Sequence, residues 1–334
     1  MNPKESVVFS LVAVVVLVLL SWVGAGLIGM HFLFGVLIPY LAFAIFLFGM
    51  VYRIVGWARS PVPFRIPTTC GQQKSLPWVK WSPIENPVDT KGVLKRMFFE
   101  VFLFRSLFRN VKLELREGPK LLYGSAKWLW LGAIAFHYAF LVILIRHFRF
   151  FSEPVAGLVR GLEGLDGFLE VGVPRFYLSG AVLLAAIAYL FARRYLVPQL
   201  KYISLPADYF PLVLIFSIGL TGILMRYFIK VDIIGVKQMT LGLAALQPTV
   251  VEGVGSIFYI HIFLVSVLFA YFPFSKLVHL AGVFLSPTRN LANNSRFVRH
   301  VNPWNYPVKT HTYDEYEEEF REKMIEAGLP VEKE

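Results

Sequence analysis

Cysteine is almost absent: Cys70 stands alone in 334 residues. One cysteine cannot make an internal disulfide, a cysteine-ligated iron–sulfur cluster or a CxxCH haem attachment. Any haem held here is therefore non-covalent, and any cluster belongs to a partner. Charge is scarce as well. Asp, Glu, Lys and Arg make up 16% of the chain, where soluble domains carry about a quarter. Residues 7–52 contain none of the four. Acidic residues are missing from the interior of every long apolar run, with only Asp208 and Glu252 near the ends. A transporter that moves protons through intramembrane histidines would be expected to carry carboxylates there. Neither an internal repeat nor a low-complexity tract is evident.

What fills the chain instead is apolar. Hydrophobic residues make up 56%, and mean hydropathy is +0.60. Uncharged runs of this length read as transmembrane helices, because backbone amides in a bilayer must be satisfied within their own element. The expected architecture is an all-α membrane protein with six transmembrane helices. The spans are placed at 7–28, 33–52, 128–147, 176–192, 209–229 and 254–280, the last interrupted by Pro273. The first reads as a signal anchor, since its apolar run is too long for a cleaved signal peptide. The chain divides into an N-terminal hairpin, 1–52, a basic loop, 53–127, a four-span core, 128–280, and a tail, 281–334.

The net charge of +11 points to topology rather than nucleic acid. With six spans, 26 of the 33 lysines and arginines fall on the side holding both termini and the 53–127 loop. The positive-inside rule makes that side cytoplasmic in a prokaryotic inner membrane. Within the loop, residues 91–110 read as a helix with Lys91, Lys95, Arg105, Ser106 and Arg109 on one face; Arg96 and Glu100 do not fit. The helix is expected to lie in the lipid interface or under a partner, a helix packed in the loop's own small core being the alternative. The end of the tail reads as a solvated helix.

Four histidines carry the chemistry. Span 3 holds His137 and His147, ten residues apart, and span 6 holds His261 and His279, eighteen apart. A lone membrane histidine is more often a helix–helix hydrogen bond than a ligand, but two pairs on two long helices favour haem. Spans 3 and 6 run in opposite directions, so His137 should meet His279 and His147 should meet His261. Bis-histidine ligation leaves iron no open position and suits electron transfer. The spacing is imperfect: ten helical residues rise about 15 Å and eighteen about 27 Å. Tilt and a kink at Pro273 must absorb the difference. Zinc would need four ligands together, and these are too spread. Hydrogen-bonding or proton-relay histidines remain open, whereas a pure anchor would leave them unexplained.

The two spacings on antiparallel helices resemble the nitrate reductase gamma-subunit family of di-haem b cytochromes, although span 1 departs from that family's five-span plan. Longer stretches are more specific. FRIPTTCGQQKSLPWVKWSPIENPVDT, EVFLFRSLFRN, LPADYFPL, TGILMRYF, FYIHIFLVSVLFAYFPFSKLVH, FLSPTRNLANNSR and NPWNYPVKTHTYDEYEEEFREKM resemble the DsrM family, membrane cytochromes of the DsrMKJOP complexes of sulfur metabolism.

That resemblance implies two haem b groups and menaquinol oxidation near the outer pair, His147/His261. Electrons would pass through the inner pair, His137/His279, to a cytoplasmic heterodisulfide-reductase-like iron–sulfur subunit (DsrK), with DsrJ, DsrO and DsrP as further partners. Such a chain is an electron-transfer subunit of a quinol-linked oxidoreductase serving sulfite reduction. A same-fold subunit that reduces quinone for another such complex is the alternative. Polar residues expected near the outer pair, and so candidates for holding menaquinone, are Arg146, Arg226, Lys230, Asp232 and His31. Arg146, Arg149 and Arg226 otherwise suit haem propionates or snorkelling to the interface. Arg193, Arg194 and Lys276 suit inner propionates or simple anchoring. His300 and His311 are expected in solvent. Cys70 reads as a plain loop residue, with contact to a partner's cluster as the alternative.

Overall fold

A computed structural model describes residues 3–60, 72–109, 112–118, 120–169, 171–172, 174–299, 307 and 309–332; Cys70 and His300 lie outside them. Six helices are long and apolar enough to cross a membrane: Pro3–Leu27, Leu33–Arg59, Lys127–Phe150, Leu178–Leu196, Pro206–Phe228 and Ser256–Phe274. These are spans 1 to 6 below. The fold is an all-α membrane bundle.

Span 1 shows how a nearly uniform apolar run chooses its face. Ser6, Ser10 and Ser21 are fully buried and Val14 almost so, while Val8, Phe9, Val12 and Val16 are exposed as lipid contacts would be. The small serines let the backbone approach span 5 closely, as small residues do between membrane helices. Ser10 Oγ is 2.8 Å from Ser6 O and 3.3 Å from Pro206 O. Spans 1 and 2 are joined by a tight turn at Gly29, in the left-handed region at φ 78°. Short π-helical segments, Trp22–Leu27 and Leu33–Leu37, flank that turn. A Cβ on Gly24 would lie 2.3 Å from Phe34 Cε2, so only glycine closes the hairpin.

Span 3 packs on span 4, span 4 on span 5, and span 6 on spans 2 and 5. Spans 3 and 6, the histidine carriers, face each other without close backbone packing. Two buried clusters support them. One centres on Ala139, Leu183, Ile187, Leu214 and Leu264. The other centres on Phe34, Met239, Phe258 and Phe263, where span 6 meets the hairpin.

Span 6, expected over 254–280 with an interruption at Pro273, breaks there more fully than a kink. The α-helix is Ser256–Tyr271, and a 3-10 turn follows at Phe272–Phe274. Ser275 is extended, at φ −114° and ψ 177°. Its side chain accepts from Leu277 N at 3.1 Å and starts a second 3-10 turn, Lys276–Val278, before a new helix, His279–Leu285. Proline has no N–H for the helix ladder, and Gly49 of span 2 makes room for its ring: a Cβ there would come within 2.7 Å of Pro273 Cβ. His261 and His279 therefore sit on separate helices. The eighteen residues between them are not one continuous α-helix, so the straight-helix spacing does not apply.

The basic loop holds the expected helix and a β-hairpin besides. A helix at Thr90–Leu103, N-capped by Asp89, ends where Phe104 turns left-handed at φ 49°. The strands β1, Lys112–Arg116, and β2, Lys120–Gly124, then form an antiparallel hairpin. The five residues expected on one polar face do not share it. The chain turns at Phe104, so Arg105 and Arg109 ion-pair with Glu85 and Ser106 bonds to Glu100.

Arg96, the misfit of the expected pattern, is the anchor. It is 1% exposed and donates to Glu85 O at 3.1 Å, to Arg289 O at 2.6 Å and to Leu291 O at 2.7 Å. Asn293 Nδ2 donates to Asn86 Oδ1 at 3.0 Å, and Asn293 N to Pro87 O at 2.7 Å. Burial pulls the Arg96 guanidinium down to about 10, helped by Arg289 and opposed by Glu100 and Glu85, which leaves it charged at neutral pH. Loop and tail thus form one polar platform. Leu94, Phe98 and Phe102, one turn apart, stay exposed along the other side of the loop helix. The tail helix, Tyr313–Glu326, opens with a Thr312/Glu315 capping box.

Candidate functional site

The structure brings the histidines together in the order that antiparallel spans require. The His137 and His279 ring centroids are 5.9 Å apart with planes at 86°. Those of His147 and His261 are 6.4 Å apart with planes at 12°.

Each ring is aimed through its Nδ1 atom. Nδ1 of His137 is 2.7 Å from Ala133 O, that of His147 is 2.7 Å from Ile143 O, and that of His279 is 3.0 Å from Lys276 O. Carbonyls only accept, so these three nitrogens carry the proton. His261 differs: its Nδ1 is 2.9 Å from Thr221 Oγ1. The Thr221 hydroxyl reaches Ser217 O and Ile218 O, both at 2.9 Å. With its proton on either carbonyl, the hydroxyl accepts from a His261 protonated at Nδ1, the tautomer that ligates through Nε2. That tautomer leaves Nε2 free in all four rings, and ligating histidines are held in this way by their outer partners. Gly222 lies against His261, and a Cβ there would make ordinary van der Waals contact with Cε1 at 3.5 Å.

The spacing fits a single metal between each pair. Two imidazoles ligating through nitrogen at about 2 Å place their centroids about 6 Å apart. The described residues contain no cluster of three or more His, Cys, Asp or Glu suited to a bare ion. Two nitrogens on opposite sides suit a metal whose other positions are filled by a macrocycle, as in bis-histidine haem. The inner pair has a further neighbour from the loop: the Phe104 ring meets His137 edge-on at 4.9 Å. Trp130 Nε1 donates to Leu103 O at 2.7 Å and Tyr138 OH to Phe102 O at 2.9 Å, pinning the loop helix to span 3.

Residues 119–301 match the nitrate reductase gamma subunit family. The chain belongs to that family. All four histidines lie within the matched region, and the span 1–2 hairpin lies outside it. Two curated relatives extend further. The Hdr-like menaquinol oxidoreductase cytochrome b-like subunit of Archaeoglobus fulgidus is 45% identical over 280 residues, covering 81% of this chain and 83% of the relative. The protein of the same description from Archaeoglobus profundus is 46% identical over 274 residues, covering 80% and 81%.

The polar residues expected to hold a quinone divide into separate groups. Arg146 pairs with Asp166 at 2.5 Å and reaches Ser179 Oγ at 3.2 Å. Its guanidinium lies 3.3 Å from the Tyr177 ring centroid, and that of Arg226 lies 4.0 Å from it. Arg226 also donates to Arg175 O at 3.1 Å. Arg149 pairs with Glu163 at 2.9 Å. Asp232 caps the helix Ile233–Ala244 through Ile234 N at 3.0 Å, next to Lys230, which is left-handed at φ 51°. His31 is elsewhere, stacked on buried Tyr259 at 4.7 Å and 13°. At the end of the bundle nearer His279, Asp208 accepts from Lys276 at 2.7 Å and faces Arg194 at 3.6 Å.

Thr221, Tyr177, Asp166 and Tyr259 were not singled out from sequence. Thr221 left a faint signal as a hydroxyl in an apolar span. The others are ordinary residues until their neighbours are known.

Proposed function

We propose that the chain is a di-haem b cytochrome that moves electrons across the membrane. Electrons would travel from menaquinol at the outer face to an iron–sulfur protein on the cytoplasmic face. The observation that carries this reading is the set of four imidazoles, each tethered at Nδ1 and paired across spans 3 and 6 at ring separations near 6 Å. His147 and His261 would hold the outer haem, and His137 and His279 the inner one. Haem iron so bound would carry one electron at a time.

The protein's own part is to orient and to insulate. The three carbonyls and Thr221 fix the rings, raise ligand basicity and keep Nε2 free of a proton. The apolar bundle excludes water. Along span 3 the two sites are about 15 Å apart, ten residues of helix. Menaquinol gives two electrons and two protons; the electrons enter at the outer pair and the protons leave on the outer side. Arg146, Arg226, Lys230, Asp232 and His31 are the residues on that side able to meet a quinone oxygen. Electrons would leave from the inner pair beside the loop–tail platform, and the basic excess supports a cytoplasmic position for that platform and both termini in an inner-membrane protein.

The relatives' description as Hdr-like menaquinol oxidoreductase subunits supports both the donor and a heterodisulfide-reductase-like acceptor. The finer reading is a DsrM-type subunit docked to a DsrK-like protein, alongside DsrJ, DsrO and DsrP, in dissimilatory sulfur metabolism.

The experiment is quinol-driven reduction of purified protein, followed at the haem absorbance bands with a soluble menaquinol analogue. Wild type is expected to reduce both groups. His147→Ala should slow electron entry while keeping the inner haem, whereas His137→Ala should still accept electrons from quinol. Unimpaired quinol reduction in His147→Ala would place the entry point elsewhere. In proteoliposomes, outside-in electron flow should add to the membrane potential.

A further inference from the structure

A cavity of about 560 Å³ opens beside His279, at the end of the bundle where span 6 breaks. Arg53, Trp57, Tyr271, Lys276 and Gly282 line it with His279. It carries two cations, and they differ. Lys276 is bonded to Asp208 at 2.7 Å, and Arg194 stands 3.6 Å from the same carboxylate, so that charge is compensated. Arg53 has no ion pair among the described residues. Its guanidinium lies 5.4 Å from the Trp57 ring centroid, and its Nε is buried without a hydrogen-bond partner.

Arg53 is only partly exposed, and a guanidinium whose Nε is already cut off from water favours an anion partner, since a buried polar group left unpaired is costly. The inner haem, on the reading above, brings two carboxylates into this neighbourhood as its propionates. We infer that Arg53 holds a propionate of the haem ligated by His137 and His279. The planar fork of arginine suits a carboxylate in two-point contact, where a lysine would offer one point charge. Arg53 belongs to the span 1–2 hairpin, outside the family match at 119–301. The hairpin would thus complete a site whose iron ligands all come from the shared core. This inference rests on the proposed function.

The test is a redox titration of both haems, followed optically, in wild type, Arg53→Gln and Arg53→Lys. A positive charge beside the haem disfavours the ferric form, which carries one more positive charge than the ferrous. Arg53→Gln should therefore lower the midpoint potential of one haem and leave the other unchanged, and Arg53→Lys should lower it less. Loss of the inner haem alone from Arg53→Gln is the stronger form of the same result. Adding Arg53→Gln to His137→Ala, which retains only the outer haem, should shift nothing. Unchanged potentials in Arg53→Gln with two haems bound would overturn the inference and leave the proposed function standing. A shift confined to the outer haem, or one that disappears on delipidation because the anion is a phospholipid headgroup, would also overturn it. Wild-type protein without haem would overturn both.

Discussion

The two histidine pairs share a chemistry and differ in how they are built. The outer pair sits on two continuous helices with nearly parallel rings, and one of its histidines is aimed by a side chain, Thr221. The inner pair is assembled from pieces. His137 comes from span 3, His279 from the first turn after a helix break, and Phe104 from the basic loop. Its rings are nearly perpendicular, and a cavity opens beside it. The outer site is a property of the bundle, whereas the inner site also depends on a break, a loop and a tail. On the proposed function, an electron leaving for a soluble partner would exit where the protein can present a specific surface, and the composite site lies beside the loop–tail platform.

Substitutions should separate the two sites, most strongly at the ligands. His261→Ala should remove the outer haem and keep the inner; His137→Ala should do the reverse. A pyridine haemochrome count of one per chain in each variant checks this. A large effect is also expected at the platform. Arg96→Met leaves three carbonyls without their donor, one of them in a buried bond, and an unsatisfied buried acceptor costs about 1–3 kcal/mol. Limited proteolysis should then release the loop and tail while the outer haem stays bound.

Thr221→Val keeps shape but deletes the acceptor for His261 Nδ1. Loss of an outer-shell partner of this kind lowers affinity about 10- to 100-fold, so outer occupancy should fall in a competition with apomyoglobin while inner occupancy holds. Ser275→Ala should be the mildest. It removes the cap that restarts the chain ahead of His279, at about 1 kcal/mol, and should loosen the inner haem only. A matching loss from the outer site would erase the distinction drawn between the pairs.

How much of this was legible in the sequence follows from the range of the forces involved. Uncharged runs announce spans because lipid demands them locally, and antiparallel order alone fixed which histidine meets which. The break at Ser275 was not legible: a proline in an apolar helix is compatible with a mere kink, and the outcome depends on room left by Gly49 in another span. Arg96 looked like a flaw in a helical pattern because its acceptors lie 193 and 195 residues away at Arg289 and Leu291. The serines of span 1 were invisible for a similar reason, as their burial depends on span 5. Reading the loop helix as one polar face failed because Phe104 turns the chain before Arg105, which no periodicity encodes.

The central claim is that the paired histidines hold two haems. Its most direct test is a dithionite-reduced minus oxidised visible spectrum of the purified wild-type chain, with a pyridine haemochrome count on the same sample. The account predicts a b-type spectrum and two haems per chain. Well-folded protein with no haem absorbance, expressed with haem supplied, would contradict it and return the four histidines to a structural or proton-carrying role.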